Sequence, residues 1–294
     1  MAEQKKKRAT RTRVTQTKKV PVMVAPMTTR VTQTVRTAVM TSTNRIAPLT
    51  KNFWMFAYII LALIGAQSAL LVSPIVGIYI NAVAFAALVG LALWKSAARQ
   101  LAISAAILPV ATMVTLSLPQ SSTFAQTIVF YDTILLLALV YRFMFTLDHP
   151  LPYTKLTTRG YAFALPCMLV IGQILGVIGY ALLRHHYTFD NISLPLVAAT
   201  SVVFAFTEET FFRGLIQQRA ALVIHPAMAA VLSAILYASA TIGHTSILVP
   251  LFALLSGAVL SITYYKKQNL ILTVAINAMM KLTYVGLLAA FIFR

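Results

Sequence analysis

Long apolar stretches separated by short polar breaks fill the chain from residue 52 onward. Each stretch approaches the roughly 20 residues that an α-helix needs to cross a bilayer. Some boundaries lack a clear polar break, so the pattern predicts eight or nine spanning helices. The stretches lie near residues 53–72, 74–94, 101–119, 127–145, 160–183, 192–220, 226–244, 246–265 and 270–293. The sequence therefore predicts an all-α polytopic membrane protein, with front transmembrane helices over residues 52–147 and a second helical core over residues 160–294.

Charge changes this picture mainly at the N-terminus. The formal net charge is +18, and half of the 24 Lys and Arg residues lie in residues 1–51. This segment is rich in Thr and holds a single acid, Glu3, with few aromatic residues, so it cannot bury enough apolar surface to fold alone. We expect a basic, disordered tail that rests on anionic membrane lipid, and no binding of nucleic acid.

The other basic residues predict the orientation of the chain. Most of them stand at the ends of apolar stretches, and with nine spans they fall on the same side as the N-terminus. They are Lys95, Arg99, Lys155, Arg159, Arg219, Lys266 and Lys267. Because basic loops stay in the cytoplasm, we expect a multi-pass protein of the cell membrane with a cytoplasmic N-terminus.

The most informative polar residues are Glu208, Glu209 and Arg213, which lie inside the apolar stretch that begins near Ile192. A charged side chain in mid-bilayer costs about 2.5–3.5 kcal/mol, so such residues normally face a protein interior or a watery cavity and mark function. At about 100° per residue, Arg213 lies about 40° around a helix from Glu209 and about 140° from Glu208. Glu209 is therefore the predicted ion-pair partner of Arg213, which leaves Glu208 free for chemistry. A salt bridge that only holds helices together is the alternative interpretation.

The pattern Glu-Glu-x-x-x-Arg late in a long membrane helix, followed by three more spans, resembles the CAAX protease and bacteriocin-processing family, also called the Abi or type II CAAX prenyl endopeptidase family. The resemblance covers roughly residues 190–290. It implies an intramembrane endopeptidase in which Glu208 activates water to cleave a membrane-associated peptide or protein near the cytoplasmic membrane face, while Glu209 and Arg213 form a structural pair. The spans before residue 147 lie outside the resemblance, carry few polar residues, and are assigned a packing role.

Two further motifs of that family are altered in this chain. The family has Phe-x-x-x-His on the next helix, where this sequence has Tyr237 and Thr241. His244 follows three residues later, nearly one helical turn, and either replaces the missing histidine or marks the end of the span. The family's later His-x-x-x-Asn motif corresponds here to Asn277 and Lys281.

The altered third motif bears directly on the chemistry of Glu208. Asn277 keeps a side-chain amide that can donate to a developing oxyanion. Lys281 is an ammonium inside a predicted membrane helix and needs a carboxylate partner, for which Glu208 is the obvious candidate. A carboxylate paired in this way is a weaker base. The candidate catalytic residues are Glu208, Glu209, Arg213, His244 and Asn277.

No cofactor is expected from these residues. The resemblance keeps a divalent metal possible, because metal dependence was first proposed for the family, but such a site needs three or more well-placed ligands and only His244 is near. Three functional hypotheses remain open. They are an active endopeptidase, a catalytically impaired relative that acts as a membrane scaffold or bacteriocin-immunity-type protein, and a proton-coupled transporter, for which inverted repeats are not evident.

Overall fold

The computed structural model describes residues 52–95, 98–118, 123–145, 158–183, 193–242 and 246–292. The predicted tail over residues 1–51 lies outside these ranges. Within them, every regular element is a helix, which confirms the predicted all-α class. In chain order the elements are α1 (Phe53–Ser68), a 3₁₀ turn (Ala69–Leu71), α2 (Pro74–Trp94), α3 (Arg99–Ser117), α4 (Thr123–Phe145), α5 (Thr158–Leu183), α6 (Leu194–Glu209), a π-helical segment (Thr210–Gln217), α7 (Gln218–Val223), α8 (Pro226–Ser239), α9 (Leu248–Lys267) and α10 (Leu270–Ile292).

Seven helices of the described ranges are long and apolar enough to cross a membrane. They are α1 with its 3₁₀ turn, α2, α3, α4, α5, α9 and α10. The chain is therefore a multi-pass membrane protein. The two remaining predicted spans, near residues 192–220 and 226–244, take other forms.

The predicted span near residues 192–220 is one continuous helix made of α6, the π-helical segment and α7. These parts contribute 16, 8 and 6 residues, and Thr210 and Gln218 at the junctions keep right-handed helical backbone angles. At α-helical rise, the whole helix measures about 45 Å. Every residue from 207 to 217 is buried, so neighbouring helices surround this stretch on all sides. π-Helical turns are rare and frequently occur at functional sites.

Helix α8 is shorter than the predicted span over residues 226–244. It has 14 residues and ends at Ser239. The Ser239 hydroxyl donates a hydrogen bond to the carbonyl of Leu236, and the Thr241 hydroxyl donates to the carbonyl of Ala238, each at 2.8 Å. Beyond Ser239 the backbone changes to the tighter three-residue pattern, since the amides of Thr241 and Ile242 donate to the carbonyls of Ala238 and Ser239 at 3.0 Å and 3.1 Å.

Basic side chains gather at one end of the helix bundle, which we call the basic end. Asn52 Nδ2 donates to the carbonyl of Val223 at 3.0 Å, joining the start of α1 to the end of α7. Arg219 Nη1 donates to Gln100 Oε1 at 2.9 Å, joining α7 to the start of α3. The described basic residues at this end include Lys95, Arg99, Arg142, Arg219, Lys266 and Lys267. The positive-inside rule assigns such an end to the cytoplasm, and that assignment stays a prediction.

Helices α5 and α10 approach closely because glycines line their contact. A Cβ atom built on Gly172 would lie 2.5 Å from the backbone oxygen of Ile276, and one on Gly176 would lie 2.6 Å from that of Met280. Neither position has room for a side chain. The contact therefore sets the position of α10 over residues 276–281, the stretch that reaches the candidate site.

Gly172→Ala is expected to lower the free energy of unfolding by about 1–3 kcal/mol, because the added methyl group meets backbone atoms that cannot rotate away. Gly65→Ala is the matched control, since a Cβ atom at Gly65 in α1 meets nothing within 4 Å. Alanine also has the higher helix propensity, so this control is expected to be neutral or stabilising. Denaturant unfolding of both variants in detergent measures the difference, and equal effects would contradict the close packing of α5 on α10.

Candidate functional site

Helices α4, α6, α8 and α10 converge on Glu208, the second-last residue of α6. Tyr131 reaches it from α4, Tyr237 from α8, and Asn277 and Lys281 from α10. These elements are held together by the close contact of α5 with α10 and by the packing of neighbouring helices around the buried stretch that contains Glu208. The site is thus built from residues far apart in the sequence.

Four donors hold the carboxylate of Glu208. Oε1 accepts hydrogen bonds from the Tyr131 hydroxyl and from Lys281 Nζ, the latter at 3.1 Å. Oε2 accepts from the Tyr237 hydroxyl at 3.1 Å and from Asn277 Nδ2 at 2.8 Å. A carboxylate has about four lone-pair positions, so every one of them is occupied. This set of donors offsets the cost of burying the charge.

Glu209 and Arg213 form the ion pair that the helical wheel predicts. Arg213 Nη1 lies 3.2 Å from Glu209 Oε1, and both side chains are 0% exposed. The guanidinium also donates from Nη2 to the carbonyl of Gly257 at 3.0 Å and lies 4.8 Å from the ring centre of Tyr237. A Cβ atom on Gly257 would lie 2.9 Å from that ring, so the glycine allows α9 to supply its carbonyl to the arginine. The pair anchors α6 to α9.

Asn277 connects the two carboxylates. Its Nδ2 donates to Glu208 Oε2 and to Glu209 Oε1, each at 2.8 Å. Both acidic side chains are buried, and the amide between them satisfies two acceptors without adding charge. The Oδ1 atom of Asn277 is buried and accepts no hydrogen bond. Asn277 therefore fixes the relative position of the two acids.

The four charged groups of the site balance, since two carboxylates face one guanidinium and one ammonium. Lys281 is the most accessible of them, because its side chain is 22% exposed whereas that of Glu208 is 4% exposed. Tyr131 is half-buried, and Tyr237 and Asn277 are buried. The Oε1 atom of Glu208 therefore faces the open side of the site, between α4 and α10, and Oε2 faces the interior.

The site lies deep along its helices when measured from the basic end. At α-helical rise, Tyr237 is about 17 Å from the start of α8, and Lys281 is about 17 Å from the start of α10. Glu208 is about 22 Å from the end of α7 by the same measure. These distances are half or more of the roughly 30 Å thickness of a hydrocarbon core. Glu208 therefore lies well inside the helix bundle, away from the basic end.

The structure brings together four of the five predicted catalytic residues, namely Glu208, Glu209, Arg213 and Asn277. His244, the fifth, lies outside the described residues. Thr241, which stands at the family's histidine position, lies just beyond the end of α8 and donates its hydroxyl to the carbonyl of Ala238. The predicted contact between Lys281 and Glu208 is present.

Two tyrosines of the site did not emerge from the sequence pattern. Tyr131 lies in a front helix, and the expectation that the front helices serve packing alone is corrected by its hydrogen bond to Glu208. No local signal distinguishes Tyr131 from the other tyrosines of the chain. Tyr237 carried a usable signal, because a hydroxyl at the phenylalanine position of the second motif has to find a partner when the ring is buried.

The residues that the structure describes at the site do not fit a divalent metal ion. Among the described residues, no group of three or more His, Cys, Asp or Glu side chains stands close enough to hold one. The two acids of the site are occupied by Arg213, Lys281 and neutral donors.

Comparison with known families agrees with this geometry. Residues 190–283 match the family model described as type II CAAX prenyl endopeptidase Rce1-like, which confirms the predicted resemblance over that segment. The match contains every residue described above that contacts Glu208 or Glu209 except Tyr131. Comparisons with the curated proteins and with the solved structures gave no match.

Proposed function

We propose that this chain, whose residues 190–283 belong to the Rce1-like type II CAAX prenyl endopeptidase family, is an intramembrane endopeptidase in which Glu208 activates water. One observation carries the proposal. The carboxylate of Glu208 is buried among hydroxyl, amide and ammonium donors, and it takes no part in holding Arg213. A buried acid that does not form the ion pair with the neighbouring arginine is a candidate for proton transfer.

In the proposed reaction, Glu208 accepts a proton from a water molecule whose oxygen attacks the carbonyl carbon of the scissile peptide bond. Negative charge develops on the carbonyl oxygen and needs donors that are already in place. The proton then passes from Glu208 to the leaving nitrogen, and the carbon–nitrogen bond breaks. The products are one new carboxyl group and one new amino group.

Tyr237 and Asn277 are the proposed donors to the oxyanion. Both are buried and donate to Oε2 of Glu208, at 3.1 Å and 2.8 Å. Once Glu208 has taken a proton, it needs these hydrogen bonds less, and they become available to the substrate oxygen. Tyr237 thereby supplies a hydroxyl on a helix whose family motif has a histidine one turn later, at the position of Thr241.

Lys281 has to withdraw before Glu208 can act as a base. It occupies the open side of the carboxylate, on Oε1, at the place from which a water molecule or a peptide would approach. Because its side chain is the most exposed of the charged groups, it is the donor that moves with the least loss of buried contacts. We assign Lys281 the role of blocking the open side of the carboxylate until its ammonium moves away.

The fold and the charge distribution support the proposed setting. The substrate is a membrane-associated peptide or protein that enters from the basic end, and the surrounding partner is membrane lipid. With the basic end in the cytoplasm, the N-terminus of a cell-membrane protein is cytoplasmic as well. Nucleic acid has no role in this proposal.

The experiment that tests the function compares N-terminal peptides from membranes of cells that express wild-type protein or Glu208→Gln at matched levels. New N-termini that depend on Glu208 identify both the activity and its substrate. Identical sets of termini, with the variant folded and the partner present, contradict the proposal.

A second candidate function, a non-catalytic membrane scaffold, is favoured by one observation. Lys281 Nζ lies 3.1 Å from Glu208 Oε1, and the carboxylate has no free lone pair. In this alternative the charged pair is a permanent structural contact, and the pocket binds a partner without cleaving it. Bacteriocin-immunity-type proteins would belong to this class.

Lys281→Asn distinguishes the two candidates. It replaces the lysine by the residue that the family has at this position and removes the ammonium from Oε1 of Glu208, which keeps the hydrogen bond from Tyr131. The endopeptidase predicts faster cleavage, by roughly tenfold for each 1.4 kcal/mol by which the barrier falls, whereas the scaffold predicts no cleavage in either form. Lys266→Asn is the matched control, because it removes a lysine from the exposed end of α9 and should leave the rate unchanged.

A further inference from the structure

A groove between α1 and α2 opens at the basic end, away from Glu208. Its volume is about 620 Å³, and it is lined by Trp54, Tyr58, Ala87, Gly90, Leu91, Trp94 and Lys95. We call it the α1–α2 groove. The Tyr58 hydroxyl donates to the carbonyl of Ala87 across its floor, at 3.3 Å. All but one of its lining side chains are apolar or aromatic.

The rim of the α1–α2 groove has the chemistry of a membrane interface. The Trp54 and Trp94 side chains are 47% and 73% exposed, and their ring centres lie 6.5 Å apart. Tryptophan is enriched where hydrocarbon meets headgroups, since its ring is amphipathic. Lys95 Nζ lies 4.5 Å from the ring centre of Trp94, so the ammonium stands at the mouth of the groove.

The charges around the mouth of the α1–α2 groove determine which lipid headgroup it favours. Lys95 lines the mouth. The described residues at the basic end include no carboxylate, because the three acids among the described residues are Asp132 in α4 and the two glutamates of the buried site. Asp132 lies about 20 Å along α4 from the basic end. Within the described part of the chain, an anionic group at the mouth therefore meets attraction from Lys95 and no nearby carboxylate.

We propose that the α1–α2 groove binds one anionic phospholipid, with an acyl chain against the aromatic and aliphatic floor and the phosphate at Lys95. Gly90 leaves open space for the chain, because a Cβ atom there meets nothing within 4 Å. The aromatic rim holds the glycerol region at the interface. This site is separate from the proposed protease site and does not depend on its activity.

The test uses the full chain, purified in detergent and incubated with equimolar phosphatidylglycerol and phosphatidylcholine of identical acyl chains. Native mass spectrometry counts the lipids that remain bound. Wild-type protein is expected to retain one phosphatidylglycerol with about a fivefold preference, the factor expected for one lysine near an anionic headgroup. Lys95→Gln should remove the preference, whereas the control Lys266→Gln at the same end should keep it.

Gly90→Leu tests the groove itself. The leucine fills the space for the acyl chain, so retention of both lipids should fall. Gly65→Leu is matched to it, since Gly65 is also an exposed helical glycine with open space around it and lies outside the groove. Equal retention by the two leucine variants overturns the proposal, as does an equal loss of preference in the two lysine variants. A change of oligomeric state in Gly90→Leu with unchanged lipid retention also overturns it, because the occupant is then another protein chain.

Discussion

Glu208→Gln is expected to lower the rate of peptide cleavage by about 10²- to 10⁴-fold, the range that a positioned general base contributes. The introduced amide keeps the shape of the side chain but cannot take a proton from water. Cleavage of the peptide recovered from the membrane comparison measures the effect. Wild-type activity in this variant would contradict the role of Glu208 as base.

Stability provides the control for this substitution. An amide at position 208 can still accept hydrogen bonds from Tyr131 and Lys281, but its nitrogen would face the Nδ2 group of Asn277. Two facing donors leave one hydrogen bond unmade, so we expect a loss of about 1–3 kcal/mol in the free energy of unfolding. The variant should therefore remain folded. A larger loss that Lys281→Met partly restores would instead identify a structural Glu208–Lys281 pair.

Arg213→Met is expected to lower the free energy of unfolding by about 3–5 kcal/mol, because it leaves the buried carboxylate of Glu209 without its cation. Both members of this pair are 0% exposed, so water cannot replace the lost contact. Denaturant unfolding in detergent measures the change. The double variant Glu209→Gln with Arg213→Met should recover part of the loss, since it removes both charges.

Arg219→Met is the matched control for this prediction. Arg219 is a buried arginine of the same continuous helix, but the hydrogen bond that it donates goes to the neutral amide of Gln100. Removing Arg219 leaves no buried charge without a partner, so we expect the free energy of unfolding to fall by only about 1–3 kcal/mol. Equal losses of unfolding free energy in the two variants would show that the Glu209–Arg213 ion pair contributes no more to stability than the Arg219 hydrogen bond.

The Glu209–Arg213 pair was predictable because it is local. Residues four apart on a helix lie on the same face whatever surrounds them, and the π-helical segment after Glu209 leaves that pair intact. The π-helical segment itself was not predictable. It is a change in hydrogen-bond register within one apolar run, and apolar periodicity carries little information about that register.

The contacts of Glu208 show the limit of reasoning from the sequence. Lys281 was assigned to it correctly by charge, since few acids exist in the chain to receive an intramembrane ammonium. Tyr131 was missed because it is 77 residues away, in a helix that otherwise serves packing. Which neighbouring helix offers a hydroxyl is decided by tertiary packing. The glycines that set this packing do so by allowing the backbones of α5 and α10 to approach closely.

The length of α8 is a further feature that the sequence pattern did not predict. Hydrophobicity extends the predicted span to residue 244, but the regular helix ends at Ser239, and the amides of Thr241 and Ile242 bond to carbonyls three residues back. Tyr237 lies in the last turn of α8 and reaches the carboxylate of Glu208. Composition predicted the helix but not the residue at which it ends.

In the proposed reaction, Glu208 acts as a base once Lys281 withdraws. The most direct measurement is the cleavage rate of the purified full chain in phosphatidylcholine vesicles, with a peptide that spans the Glu208-dependent terminus. Wild-type protein, Glu208→Gln and Lys281→Asn are compared at equal amounts of folded protein. We expect the fastest cleavage with Lys281→Asn, slower cleavage with wild type, and almost none with Glu208→Gln. Equal rates for wild type and Glu208→Gln would contradict the proposed reaction.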